Sequence, residues 1–371
     1  MFSVTKYDGV VLAADYFDKR IASESIANYK VLEPEDWAYS TIHIDEGSIA
    51  RNNLGLRGAV SPMYTTMRFA ASEHDPRYYE LLLRTGQMLA RFKDVQQGSV
   101  NRRRSLPWKV FCGIEVTVPT LRKQRRIVDM IGAVDETIAA AQKSAAANDA
   151  LSQRSRDTLP VGPVRPIGEV LVGIESGTST KPVRGDGEKV FVLTLAAIRP
   201  GRFHGAEIKD VGAAVLPRKA RLMESDLLIT RSNTPDRVGY VCVARGVPDN
   251  TYIPDLVWRL VPDERQVTKD YLEQALSSKR LREAITGSAS GTSQSMRKIN
   301  KAGFSRIEVP IPGIEEQDVY VAPLRQLARV REEYDLLLGR LLTLRSNLIG
   351  VLLAGEHEIP DSYDDLMGVA S

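Results

Sequence analysis

Cysteine is nearly absent. Cys112 and Cys242 are the only two in 371 residues, too few for a disulfide scaffold or a cysteine-rich metal site, and they read as two reduced, buried thiols of a cytoplasmic chain. The four histidines, His43, His74, His204 and His357, are scattered without paired ligand spacing, so no metal site is expected. No stretch approaches 18 uncharged apolar residues, which excludes a membrane span from expectation. The opening MFSVTKYDGVVLAADYF lacks the basic-then-apolar order of a signal peptide. Chemistry-bearing motifs are missing as well. Gly177-Thr-Ser-Thr-Lys181 has no glycine before its lysine and is followed by Pro182, so it fails the phosphate-cradling pattern. No Asn/Asp-Pro-Pro-Tyr/Phe motif occurs, and the carboxylate pairs Glu315-Glu316 and Asp364-Asp365 read as solvated surface. Binding, and not catalysis, is the expectation.

What is present is an ordinary composition, 43% hydrophobic and 26% charged, on a chain long enough for two domains. The net charge of +3 hides an uneven distribution. Residues 356 to 371 carry Glu356, Glu358, Asp361, Asp364 and Asp365 and no lysine or arginine, so the rest of the chain carries a net charge of +8. That balance permits a polyanionic partner without requiring one.

Self-similarity is the most informative feature. At an offset of 193 residues, Gly98 falls on Gly291, Arg104 on Arg297, Leu106 on Ile299, Phe111 on Phe304, Ile114-Glu115-Val116 on Ile307-Glu308-Val309, Pro119 on Pro312 and Gln124 on Gln317. The same offset pairs Tyr78 with Tyr271, Glu80 with Glu273 and Leu83 with Leu276. Further upstream the pairing reads as an offset of 180, with Arg51 and Asn53 on Arg231 and Asn233, implying an insertion of 13 residues within about 234–252 of the second copy. Phe2-x-Val4-Thr5 matches Phe191-x-Leu193-Thr194, so the second copy's opening, Ile167 to Val190, has no counterpart in the first.

Each copy reads as a β-rich segment followed by a long helix. Lys189–Thr194, Asp226–Thr230 and Tyr240–Ala244 look like strands, and Asp75–Gln87 and Thr268–Ala284 like amphipathic helices. Glu115–Val118 and Glu308–Ile311 look like short strands, each closed by a proline at the first turn of the long helix. From Leu121 to Asp157, Ile127, Ile131, Val134, Ile138, Ala141 and Ala145 recur at heptad spacing. From Pro323 to Leu353, Val330, Tyr334, Leu337, Leu341, Leu344, Leu348 and Val351 do the same. Pro323 predicts a break that leaves Glu315–Val321 as a separate turn. The fold class is therefore α+β: two β-rich domains, each followed by a long α-helix, with the two helices forming an antiparallel coiled coil. The boundaries are 1–119 for the first domain (short at its N-terminus relative to the second), 120–159 for its helix, 160–312 for the second domain, 313–355 for its helix and 356–371 for an acidic tail.

Val309-Pro-Ile-Pro-Gly-Ile-Glu-Glu-Gln317 resembles the junction between recognition domain and spacer helix in type I restriction-modification specificity subunits. Val118-Pro-Thr-Leu-Arg-Lys-Gln-Arg-Arg-Ile127, continuing to Val134-Asp-Glu-Thr-Ile138, is similar to the same junction, and Ser290-Gly-Thr-Ser-Gln294 to the segment ahead of it. The resemblance covers the whole chain and departs from the family at the short N-terminus and at the irregular helix starts Leu121–Lys123 and Asp318–Pro323. It implies a non-catalytic reader of a split double-stranded DNA sequence, each β-rich domain a target-recognition domain. It also implies docking of methyltransferase subunits, two in number, and of translocase-nuclease subunits. S-adenosylmethionine, ATP and Mg would belong to those partners, with no cofactor in this chain.

Reading DNA calls for cations on phosphates and forked donors on base edges. Candidate contacts are Arg51, Asn52, Asn53, Arg57, Asn101, Arg102, Arg103 and Arg104 in the first copy. In the second they are Arg231, Asn233, Arg237, Ser293, Gln294, Arg297 and Lys298. Candidate partner-binding positions are Ile127, Ile131, Val134 and Ile138 on one helix and Tyr334, Leu337, Leu341, Leu344 and Leu348 on the other. Lys123, Arg125 and Arg126 at the start of the first helix face DNA, an acidic partner or solvent. The competing reading is a coiled-coil scaffold whose two heads bind protein or carbohydrate; a nuclease or transferase hidden in the heads lacks any motif.

Overall fold

The computed structural model describes residues 1–16, 27–70, 72–98, 104–185, 187–290, 296–360 and 362–363. The chain divides into two compact units, Met1–Ala140 with Leu338–Ser371, and Ala141–Leu337. Helices and strands are mixed in both, the strands gathered into many small sheets.

In the second unit the strand Leu227–Thr230 is buried at every position. It pairs antiparallel with Val241–Val243 and Val257–Pro262, and Leu171–Ser176 adds to the far side of the latter. Because successive strand side chains point to opposite faces, Leu227 and Ile229 enter a core with Tyr271, Leu281 and Phe304, while Leu228 enters another with Cys242 and Ile253. The first unit repeats this. Trp37–Ser40 lies between Ile49–Arg51 and Tyr64–Met67. Trp37 and Tyr39 pack with Tyr78 and Phe92, and Ala38 with Phe2 and Val4 of the hairpin Phe2–Thr5/Gly9–Leu12.

The strand registers overturn one sequence pairing. Trp37 stands opposite Arg51 and Met67, and Leu227 opposite Val243 and Leu260. The counterpart of Arg51 is thus Val243, and that of Asn53 is Arg245; no 13-residue insertion exists. Arg231 corresponds instead to Thr41, because Leu106 N–H donates to the Thr41 carbonyl (2.7 Å) as Ile299 N–H donates to that of Arg231 (2.9 Å). The Arg-x-Asn recurrence at an offset of 180 is coincidence. A turn before the central strand is also duplicated. Glu35 (φ 70°) and Ser225 (φ 63°) are left-handed. The next residue's carboxylate, Asp36 or Asp226, accepts from the Glu33 or Met223 N–H and from the Arg68 or Arg259 guanidinium.

The expected helix Asp75–Gln87 is two, Pro76–Leu82 and Gly86–Val95, because Thr85 caps the second by accepting from Met88 N–H. Thr268–Ala284 is likewise split into Lys269–Leu276 and Lys279–Gly287 at the Ser277-Ser278 step. Glu308–Pro310 is a strand paired with Val164–Pro166, whereas Glu115–Val118 is not a strand, since no described residue pairs with it. Cys242 is buried but Cys112 is exposed, being on the last turn of the short helix Trp108–Cys112.

The first long helix runs Leu121–Asp157 and the second Ile314–Leu353. Pro119 and Pro312 lie outside them, two residues before the first helical residue. Pro323 does not break the second helix. A missing N–H and a ring clash cost about 3 kcal/mol in a helix interior, and here Val321 and Leu324 on either side are buried, 1% and 3% exposed. A glutamine pins each helix start to its own head. Gln124 Oε1 accepts from Asp75 N–H (2.9 Å) and its Nε2 donates to the Pro119 carbonyl (2.8 Å). Gln317 Oε1 accepts from Thr268 N–H (2.8 Å) and its Nε2 donates to the Pro312 and Gln266 carbonyls (both 2.9 Å). Both glutamines are fully buried, and Asp75 and Thr268 are the N-caps of equivalent helices.

Within the first unit Ile127, Ile131 and Ile138 are buried and Asp135 pairs with Arg345 of the second helix; within the second, Ala141 and Ala145 are buried and Asp149 pairs with Arg331. The second helix is less enclosed than its heptads predict: Leu337 and Leu344 are exposed and Tyr334, Leu341 and Leu348 half-buried. It also contains an 18-residue window of mean hydropathy 1.6, long and apolar enough to cross a membrane, which the sequence reading did not anticipate. Two arginines, Arg340 and Arg345, interrupt its leucine-rich end, and Leu348, Ile349 and Leu352 there pack against the first unit's core.

Candidate nucleic-acid interface

In the second unit the candidate residues converge. Ser232–Asn233 pairs antiparallel with Arg297–Lys298, setting Asn233 opposite Arg297, and Ser290 bridges to Lys298 from the other side. The ribbon forms because Ile299 is a core residue whose N–H reaches the Arg231 carbonyl, which fixes the register of the two residues before it. Arg297 and Lys298 are exposed, and no described carboxylate pairs with either of them. Arg231 is held differently: its guanidinium lies 5.8 Å from the Trp258 ring centroid, with Nε buried. Asn233 is 9% exposed and its Oδ1 accepts from Thr234 N–H (2.9 Å), so it shapes the turn more than it reaches outward. Arg237 is exposed and paired with Asp236 at 3.3 Å.

One residue that sequence inspection missed supports this edge. Arg282 stacks over Tyr240 (4.7 Å to the centroid) and donates to the Val238 carbonyl (2.7 Å) and the Asp236 carbonyl (3.2 Å), so it braces the 236–238 turn. Burial holds its guanidinium below the usual arginine range. Its only sequence signal was a cation one place after the buried Leu281 of a helix.

The first unit's candidates do not converge in the same way. The element equivalent to the Ser290–Lys298 bridge is Gln97–Ser105, which places Arg104 at the counterpart of Arg297. Arg104 Nε is buried. Asn101, Arg102 and Arg103, like Ser293 and Gln294 of the second copy, lie outside the described residues. The Arg51–Arg57 loop sits elsewhere and is committed internally. Arg51 is paired with Glu35 and with Glu80 (3.1 Å), its side chain 13% exposed. Asn52 is fully buried and donates to the Glu33 and Leu56 carbonyls (2.9 and 2.8 Å), and Asn53 donates to Glu80 (2.9 Å). Arg57 is exposed and paired with Glu33 at 2.9 Å. Arginine and asparagine in a glycine-bearing loop look alike in sequence whether they face a ligand or close a turn. Among the described residues no group of His, Cys, Asp or Glu could hold a metal ion.

No family model matches the chain. A specificity subunit of the type I restriction enzyme EcoEI from Escherichia coli is 21% identical over 171 residues, 45% of this chain and 29% of that protein, so the chain spans less than a third of that curated relative. A solved chain from a type I R-M system, described for its complex assembly and conformational transition, has a TM-score of 0.54 at 17% identity, covering 89% of this chain and 84% of that one. The HsdS subunit of Thermoanaerobacter tengcongensis gives 0.40 at 19% over 90% and 84%, and the type I S subunit of M. genitalium 0.49 at 13% over 87% and 84%. In fold over most of its length, and in sequence over less than half of it, the chain resembles the specificity subunits of type I restriction-modification systems.

Proposed function

We propose that this chain is a cytoplasmic, non-catalytic specificity subunit of a type I restriction-modification complex, reading a bipartite target in double-stranded DNA with one head per half-site. The observation that carries this is the duplication of a whole device: the same strand registers, the same turn before the central strand, and the same buried glutamine joining head to long helix. Two copies of one reader on two helices suit a divided site. In this reading the helices form one antiparallel coiled coil. The step from Asp135 to Asp149 is 14 residues forward and that from Arg345 to Arg331 is 14 back, the register of two heptads on paired helices. The ribbon cations Arg297 and Lys298 contact phosphate or base edges in the second head, and residues 98–104 do so in the first. Exposed Leu336 and Leu337 in the second unit, and Leu342 and Leu344 in the first, each form part of a surface that docks a methyltransferase subunit. Restriction subunits join that core, and S-adenosylmethionine, ATP and Mg are bound by the partners.

The test is binding to duplex DNA over a series of salt concentrations, with and without the methyltransferase subunits. Affinity is expected to fall with salt by a log–log slope of about 0.9 per phosphate contacted, and sequence selectivity to emerge once the methyltransferase is added. A chain that neither associates with methyltransferase subunits nor binds duplex DNA at low salt refutes the reading.

A further inference from the structure

The second head carries a basic patch that the first does not. Val215-Leu-Pro-Arg-Lys-Ala-Arg-Leu-Met223 leads into the turn before the central strand. Ala220 and Leu222 are core residues, 1% and 3% exposed, and they fix the path of the segment. Arg218–Ala220 forms a single 3-10 turn, and Arg221 bridges antiparallel to Tyr252. Arg218, Lys219 and Arg221 are left exposed. Three cations within four positions repel one another unless an anion offsets them. No described carboxylate pairs with any of the three. The two acids next along the chain are committed elsewhere. Glu224 accepts from Gly246 and Val247 N–H (3.1 and 3.2 Å), and Asp226 accepts from Met223 N–H (2.8 Å) and from Arg259.

A fourth arginine holds the backbone that presents the patch. Arg259, its side chain 13% exposed, donates to the Lys219 carbonyl (2.9 Å) and to the Arg221 carbonyl. Its own charge is met by Glu175 and Asp226, both at 2.7 Å. Arg259 is thus a satisfied brace, and the three exposed cations are pre-positioned without using their own charge. In the first head the equivalent arginine, Arg68, pairs with Asp36 and is 73% exposed. Counted back from the turn that both heads share, Arg218, Lys219 and Arg221 correspond to Asn28, Tyr29 and Val31. Lys30, the counterpart of Ala220, donates to the Tyr64 carbonyl (2.6 Å).

The chain itself limits how far the patch can lie from the ribbon. Tyr252, opposite Arg221, is four residues before Leu256, whose carbonyl accepts from Arg231 N–H (2.9 Å) just ahead of the ribbon. Four residues reach at most about 14 Å and each cross-strand step adds about 6 Å, so Arg221 and Arg231 lie within about 26 Å of one another. One turn of B-DNA rises about 34 Å.

We propose that Arg218, Lys219 and Arg221 form a phosphate clamp peculiar to the second head, gripping the DNA backbone within one helical turn of the ribbon's contacts. The proposal rests on the DNA-reading role and adds a second anchor to it. The clamp positions the head without reading sequence, because point charges on phosphates carry no base information.

Binding of duplex DNA by the full chain over a salt series, alone and with methyltransferase subunits, tests it. With Arg218→Gln, Lys219→Gln and Arg221→Gln combined, the log–log salt slope is expected to fall by about 2 to 3. Affinity is expected to drop about thirtyfold on target and random duplex alike. Arg218→Lys with Arg221→Lys keeps the charge and is expected to keep the slope, which a misfolded head would not. An unchanged slope in the glutamine variant overturns the proposal and leaves the DNA-reading role standing. So does a loss confined to methyltransferase association, the mark of a patch that meets an acidic protein face. A parent chain that binds no duplex at low salt in either setting ends the reading and the proposal together.

Discussion

Glu80 and Glu273 occupy one position of the repeat and are neutralised by different means. Glu273 is 1% exposed, accepts from Val243 N–H at 2.6 Å and pairs with Arg245; burial pushes its carboxyl up while Arg245 draws it back. Glu80 is 22% exposed and pairs with Arg51, and Asn53, the counterpart of Arg245, also donates to it. The carboxylate is kept and its cation has moved two residues along, from the last strand residue in the first unit (Arg51) to a position beyond the strand in the second (Arg245). The glutamine staples show the opposite behaviour, keeping the N-cap N–H and the proline carbonyl as partners in both units, with only the third partner changed from the His74 ring to the Gln266 carbonyl. Buried joints with a fixed donor and acceptor set tolerate no relocation, whereas an ion pair at a head's flank can be rebuilt around either neighbour.

The largest expected effect breaks the staples. Gln317→Ala leaves the Thr268 N–H and two carbonyls buried without partners and is expected to destabilise the second unit by about 3 kcal/mol. Gln124→Ala should do the same to the first, read by local amide exchange in each unit. A silent result in one unit would end the equivalence drawn here. Next, Arg297→Ala with Lys298→Ala is expected to weaken DNA binding about tenfold and lower the salt slope by about 2, if each contacts one phosphate. Arg51→Ala should leave that slope unchanged, because its guanidinium is held by Glu35 and Glu80, and show only as a modest loss of first-unit stability. The smallest effect concerns pH. Burial and the neighbouring Arg202 and Arg199 hold His204 below its ordinary value of 6.5, so the folded second unit favours the neutral ring. Its contribution is present above about pH 6.5 and is lost as pH falls towards the folded value, where the unfolded chain takes up the proton first. His204→Gln should flatten the second unit's denaturation midpoint between about pH 7.5 and 5 relative to the parent.

Much of this architecture was legible in the residues. Apolar periodicity marked Leu121–Asp157, and short β-branched runs marked Phe191–Leu193, Leu227–Thr230 and Val241–Val243, because both signals are local. The breaks at Thr85 and Ser278 were not legible: a capping threonine such as Thr85 differs from a surface one only in its partners, and Ser278 starts its helix without a side-chain cap. Pro323 misled for the converse reason: burial around it outweighs its local preference. Among the candidate contacts, Arg297 and Lys298 reach an exposed ribbon while Arg51 and Asn52 close internal turns. Nothing in one sequence separates these, because ribbon and turn draw on the same polar residues.

The glutamine staple has a mechanical consequence. Gln124 sits one turn into a 37-residue helix and is keyed to a fixed backbone N–H of its head, so the helix cannot spin about its axis without shearing that key. The side chains that follow within the same unit, Asp135 among them, inherit an angular position from the head. Inserting one residue between Gln124 and Asp135 would swing the remainder by about 100°, carrying the Asp135 carboxylate away from Arg345 while the head stayed seated. The joint makes the start of each long helix and its head turn as one part.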